Sequence, residues 1–61
     1  MTLSQTELTE SRDQLKQAKA LINTVRDKYF CAGYVEGARI LNEVSHLLDD
    51  EVAALEKMIA G

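Results

Sequence analysis

Leu8, Leu15, Ile22 and Tyr29 stand seven residues apart, with Ser11, Ala18 and Val25 at the complementary positions of the same repeat. Such spacing keeps an apolar stripe on one side of a helix and predicts a helix over residues 5–31, roughly 40 Å long at ~1.5 Å per residue. Its start is written just ahead of the stripe. In "LSQTEL", Ser4 is placed to accept from the amide of Glu7, Glu7 to reach back to Ser4, and Leu3 to pack on Leu8. These are the signs of a capping box with a hydrophobic staple.

The stripe does not continue in phase. A straight extension of the repeat falls on Glu36, Glu43, Asp50 and Lys57, all charged, whereas the apolar repeat resumes as Tyr34, Leu41, Leu48 and Leu55, flanked by Val44, Val52 and Ile59. At ~100° per residue the apolar face has moved by roughly a quarter turn, and a single straight rod cannot keep both faces on one partner. The break coincides with Gly33. A glycine just past a helix end takes the left-handed conformation that closes the last turn, with Tyr34 folding back on Tyr29. The chain therefore reads as one all-α domain: helix 5–31, turn 32–34 and helix 35–60, an antiparallel hairpin. The second helix has no Ser, Thr, Asp or Asn at its capping position, so one long kinked helix stands as the rival.

The second helix is apolar in two directions. Leu41, Leu48, Leu55, Val52 and Ile59 mark one, and Ile40, Leu47 and Met58 lie roughly 90° away, more than one neighbouring helix can cover. A homodimer in which two hairpins form a four-helix bundle meets that need, with Leu8, Leu15, Ile22, Val25, Tyr29, Leu41, Val44, Leu47, Leu48, Val52, Leu55 and Ile59 as core or dimer contacts. In size and architecture this resembles the dimeric hairpin of the Rop family of plasmid copy-number RNA-binding proteins. With no shared motif, it transfers no residue assignments. The stretch "DKYFCAGYVEGARILNEVSHLLDDEVAALEKMIAG" resembles the small acidic helical products of the early regions of lambdoid phages. That resemblance implies an accessory protein modulating a host or phage partner, in the host cytoplasm, and no catalytic residues.

Composition changes little in this picture. Proline is absent, aromatics are 5%, and the net charge of -3 divides unevenly. Residues 1–31 carry five basic and four acidic groups (+1), and residues 32–61 two and six (-4). An acidic total argues against indiscriminate nucleic-acid binding. The first residues lack the basic start and apolar run of a secretory leader, and no apolar run reaches the ~18 residues of a membrane span; the expectation is a cytoplasmic protein with no membrane partner. Cys31, the only cysteine, fits a reducing compartment and reads as a small packed or turn residue more readily than as a reactive thiol.

Two polar surfaces are candidates for partners. Arg12, Lys16, Lys19, Asn23 and Arg26 fall within about 80° of one another on the first helix, a stripe able to track nucleic-acid phosphates or to flank the seam and pair with acidic groups opposite. On the second helix Glu36, Glu43 and Asp50, with Asp49 and Glu56 alongside, form an acidic ridge that either receives a basic protein partner or keeps the surface solvated. "EVSH" places Glu43 and His46 at the Glu-x-x-His spacing of di-iron bundles, with Asp50 one turn on. His46 lies about 160° from the Leu48 face, however, so these residues point to water and no metal or other cofactor is expected.

Enzyme chemistry is not expected either. Ser45, His46 and Asp49 diverge around a helix and cannot form a hydrogen-bonded triad, and "GYVEGA" lacks a phosphate-loop lysine. The reading favoured by the sequence is a non-enzymatic, homodimeric protein-interaction module or regulator. Its rival is a structured-RNA or DNA binder using the basic stripe.

Overall fold

The computed structural model describes residues 2–61, which form two helices, α1 (Gln5–Cys31) and α2 (Val35–Ala60), packed side by side as a hairpin 43 × 19 × 14 Å in extent. The start of α1 is closed by the expected reciprocal pair. The Glu7 amide donates to Ser4 Oγ and the Ser4 amide donates to the Glu7 carboxylate, each at 3.1 Å. Two of the four amides that a helix start leaves orphaned are thereby satisfied.

At the other end α1 stops in a Schellman turn. Gly33 sits at φ 82°. Its amide donates to the Phe30 carbonyl at 3.1 Å, and the Tyr34 amide reaches the Tyr29 carbonyl at 2.8 Å. That pairing satisfies carbonyls the helix end would otherwise leave bare, and it requires a left-handed residue at the position that glycine holds. The turn carries its hydrophobic clasp as well: the rings of Tyr29 and Tyr34 are 4.9 Å apart, tilted by 55°. Both rings lie over Gly37. A Cβ there would stand 2.5 Å from Tyr34 Cε2 and 2.8 Å from Tyr29 Cδ2, so the missing side chain is what lets the two tyrosines close the corner. α2 begins without a side-chain cap, and Tyr34 supplies only its carbonyl, to the Ala38 amide.

The seam between the helices is thin. Leu8 on α1 and Ala38, Val52 and Leu55 on α2 are buried, Leu15, Ile22, Tyr29, Leu41, Val44, Leu48 and Ile59 are half-buried, and among the described residues no large side chain is wholly enclosed. Ser45 is among the most buried residues, at 3% exposure. Two positions expected at core or dimer contacts, Val25 and Leu47, remain 37% and 66% exposed in the single hairpin and lie outside the intrachain seam. The cause is rotational. α2 presents the sector centred between Leu41, Leu48 and Val52, which brings Ser45 inward and turns Leu47 away.

Candidate interaction surface

Among the described residues, the polar links between the helices fall along one edge of the seam. Gln5 Nε2 donates to the Ile59 carbonyl at 3.1 Å, Lys19 Nζ pairs with Asp49 Oδ1, and Arg26 Nη1 donates to Asn42 Oδ1 at 3.1 Å. The register of the hairpin can be read from the last two, because each pair of residue numbers adds to 68. Asn23 lies on this edge, its Oδ1 buried without a hydrogen-bond partner.

Helix geometry places a different set of residues on the opposite edge. Around α1, Lys19, Arg12 and Asn23 lie about 40–80° from Leu15 in one sense, and Val25 and Leu21 about 80–120° from it in the other. Around α2, Asp49 and Asn42 lie about 80–100° from Leu41 in one sense, and Ile40, Leu47 and Met58 about 100–120° in the other. Since Lys19 meets Asp49 and Arg26 meets Asn42 on one side, Leu21, Val25, Ile40, Leu47 and Met58 share the other. The hairpin thus has a stitched face and a bare, mainly apolar face on which Glu51 is the charged residue of α2. On the bare face Leu21 is 70% exposed, Ile40 56% and Met58 51%.

The sequence-derived basic stripe is largely engaged within the chain. Arg12 pairs with Asp13 at 3.1 Å, Lys19 with Asp49, and Arg26 with Asn42 and, at 3.4 Å, with Asp27. Lys16 is exposed beside them. The acidic ridge divides: Asp49 and Glu56 stand at the stitched edge, and Glu36, Glu43 and Asp50 run along the outer side of α2, all exposed. His46 is exposed on that outer side, and among the described residues no group of three or more His, Cys, Asp or Glu side chains is placed to hold a metal ion. Cys31 is exposed at the last position of α1.

One feature was missed in the sequence. An open cleft of about 340 Å³ lies beside the corner on the stitched face, between Arg26, Asp27 and Phe30 of α1 and Val35, Ala38, Arg39 and Asn42 of α2. Its walls combine exposed apolar surface at Phe30 and Val35 with two guanidinium groups. Arg26 is held by Asn42 and by Asp27, itself a wall of the cleft, so Arg39 is the guanidinium placed to meet a carboxylate beside an apolar side chain. The exposed aromatic at Phe30, three residues before the turn glycine, was the available signal; its meeting with Arg39 and Asn42 depends on the hairpin register.

No family model matches this chain, and no curated protein or solved structure matches it significantly. None of the helices among the described residues is long and apolar enough to cross a membrane.

Proposed function

We propose that this chain is a small non-enzymatic interaction module, a homodimer whose two hairpins form a four-helix bundle and which regulates another protein by binding it. The observation that carries this reading is surface left uncovered. The hairpin exposes 4659 Å², about 700 Å² more than the ~3,950 Å² expected of a compact monomer of its 6.8 kDa mass. A standard protein interface removes about 800 Å² from each partner, so one such contact accounts for the excess. Every described carboxylate, His46 and Cys31 are exposed, an arrangement that supports recognition over chemistry in an enclosed site. The corner cleft is where the second protein docks, by an acidic segment with an apolar residue. The likeness to lambdoid early-region products supports an accessory role of this kind, modulating a host or phage partner in the host cytoplasm.

Affinity capture followed by mass spectrometry tests the reading when run with variants side by side. A partner held by the native chain and by Lys16→Glu, and lost by Arg39→Glu, is the expected result. No reproducible protein partner would overturn it. A shift of RNA or duplex DNA that falls steeply with salt and weakens in Lys16→Glu/Lys19→Glu would put the nucleic-acid reading in its place.

A further inference from the structure

We infer that the bare face, with Leu21 and Val25 on α1 and Ile40 and Leu47 on α2, is a self-complementary dimer interface whose two hairpins lie with their corners at the same end. The inference rests on the homodimer reading above and specifies its geometry. The occupant is a second copy because the apolar positions of the two helices are already level with one another. In the register fixed by the Lys19–Asp49 and Arg26–Asn42 contacts, Leu21 stands at the height of Leu47, and Val25 stands between the heights of Leu47 and Ile40. A two-fold axis parallel to the helices lays α1 of one copy on α2 of the other without changing any height. Leu21 then meets Leu47 of the second copy, and Val25 enters the gap between its Leu47 and Ile40, knob into hole.

The opposite orientation, with corners at opposite ends, fits worse in either of its registers. Aligning the apolar patches leaves about three turns of each helix overhanging and sets Glu51 level with Glu36 of the second copy, like charge to like charge. Overlapping the full lengths instead sets Leu47 against Glu51 and separates the two leucine–valine pairs. The arrangement with shared corners covers Leu21, Val25, Ile40 and Leu47 together and keeps the full length of the helices in contact, with Met58 at its margin, level with Glu10 of the second copy. The corner clefts lie on the stitched faces and stay open, one on each outer side of the dimer.

Three measurements on the full chain decide the matter. Sedimentation should give a dimer for the native protein, and Leu21→Lys or Leu47→Glu alone should weaken it about a hundredfold or more while helicity by circular dichroism is kept, with Thr24→Glu on the outer side of α1 as an unaffected control. Mixing the Leu21→Lys and Leu47→Glu chains should restore a dimer, because the new opposite charges meet across this two-fold. Nitroxides on Cys31 should report a separation well under the 43 Å length of the hairpin. A native monomer at all concentrations would sink the homodimer reading itself. A dimer untouched by either leucine substitution would leave that reading standing and overturn the assignment of the face. Failure of the mixed chains to pair, or a nitroxide separation at or beyond the hairpin length, would overturn the shared-corner arrangement alone.

Discussion

The stitched face and the bare face of this hairpin are built from the same two helices and differ in what borders the seam. Along one border Gln5, Lys19 and Arg26 reach across to α2, whereas along the other Leu21, Val25, Ile40, Leu47 and Met58 face outward with no interhelix polar contact. Polar links fix geometry and contribute little free energy when exposed; apolar surface contributes when it leaves water and is indifferent to geometry until something covers it. One face therefore sets the register, and the other is left to gain free energy from association. The division of labour is open to test, since changes on the two faces and in the seam between them should differ in size and in kind.

The largest effect is expected where both faces share their support. Leu55 is 3% exposed, and Leu55→Ala should lower the unfolding free energy by about 2–4 kcal/mol, through lost transfer free energy and the cavity left behind. The same truncation at Leu47 leaves the intrachain seam whole. Its effect should be confined to the concentration dependence of the melting temperature, because it removes surface that only a second chain covers. Urea titrations of both variants over a range of chain concentrations separate the two outcomes. A Leu47→Ala loss that is independent of concentration would place Leu47 in the seam.

Next in size is the corner. Gly33→Val puts a β-branched residue at φ 82° and should destabilise the hairpin by about 1–3 kcal/mol, with no neighbouring atom within 4 Å of a Cβ there to add a clash. Chemical denaturation checks this. A loss well below 1 kcal/mol would mean that the chain closes its corner without the left-handed residue.

The corner was also the most legible part of the molecule. A phase shift across Gly33, a tyrosine on each side of it and the Ser4/Glu7 pair at the start of α1 are local signals, and local signals are what a chain displays without its partners. The hairpin itself followed from them. The sector of α2 that enters the seam was legible in its main line, Leu41, Leu48 and Leu55, but its width was not, because Leu47 on the neighbouring apolar line was also expected at a core or dimer contact. The packing against α1 leaves Leu47 out and brings in Ser45, which no hydrophobic pattern would select. The corner cleft and the Lys19–Asp49 pair were hidden for the same reason: their members are far apart in sequence and meet only once the register is known.

Asn23 offers a smaller effect of opposite sign. Its buried Oδ1 has no hydrogen-bond partner, a desolvation penalty with no return. Asn23→Leu should raise the stability of the hairpin by about 1 kcal/mol, measured by thermal or urea unfolding. The substitution also sharpens the comparison between the faces. If polar side chains at the stitched border specify register, a leucine at position 23 should broaden the amide spectrum of the corner as alternative registers become accessible. An unchanged spectrum together with higher stability would assign register to the Schellman turn alone.

The smallest effect belongs to the contact that looks most prominent. Lys19 and Asp49 form an ion pair that bridges the two helices, and both side chains remain substantially exposed, at 32% and 48%. Exposed pairs contribute about 0.2–1 kcal/mol, so Lys19→Met should cost no more than that and should make stability less sensitive to salt. A double-mutant cycle with Asp49→Asn isolates the pair from the packing of the lysine stem. Coupling above ~1.5 kcal/mol would show the stitched border supplying stability beyond what its exposure permits, and the difference between the two faces would then lie in strength as well as in direction.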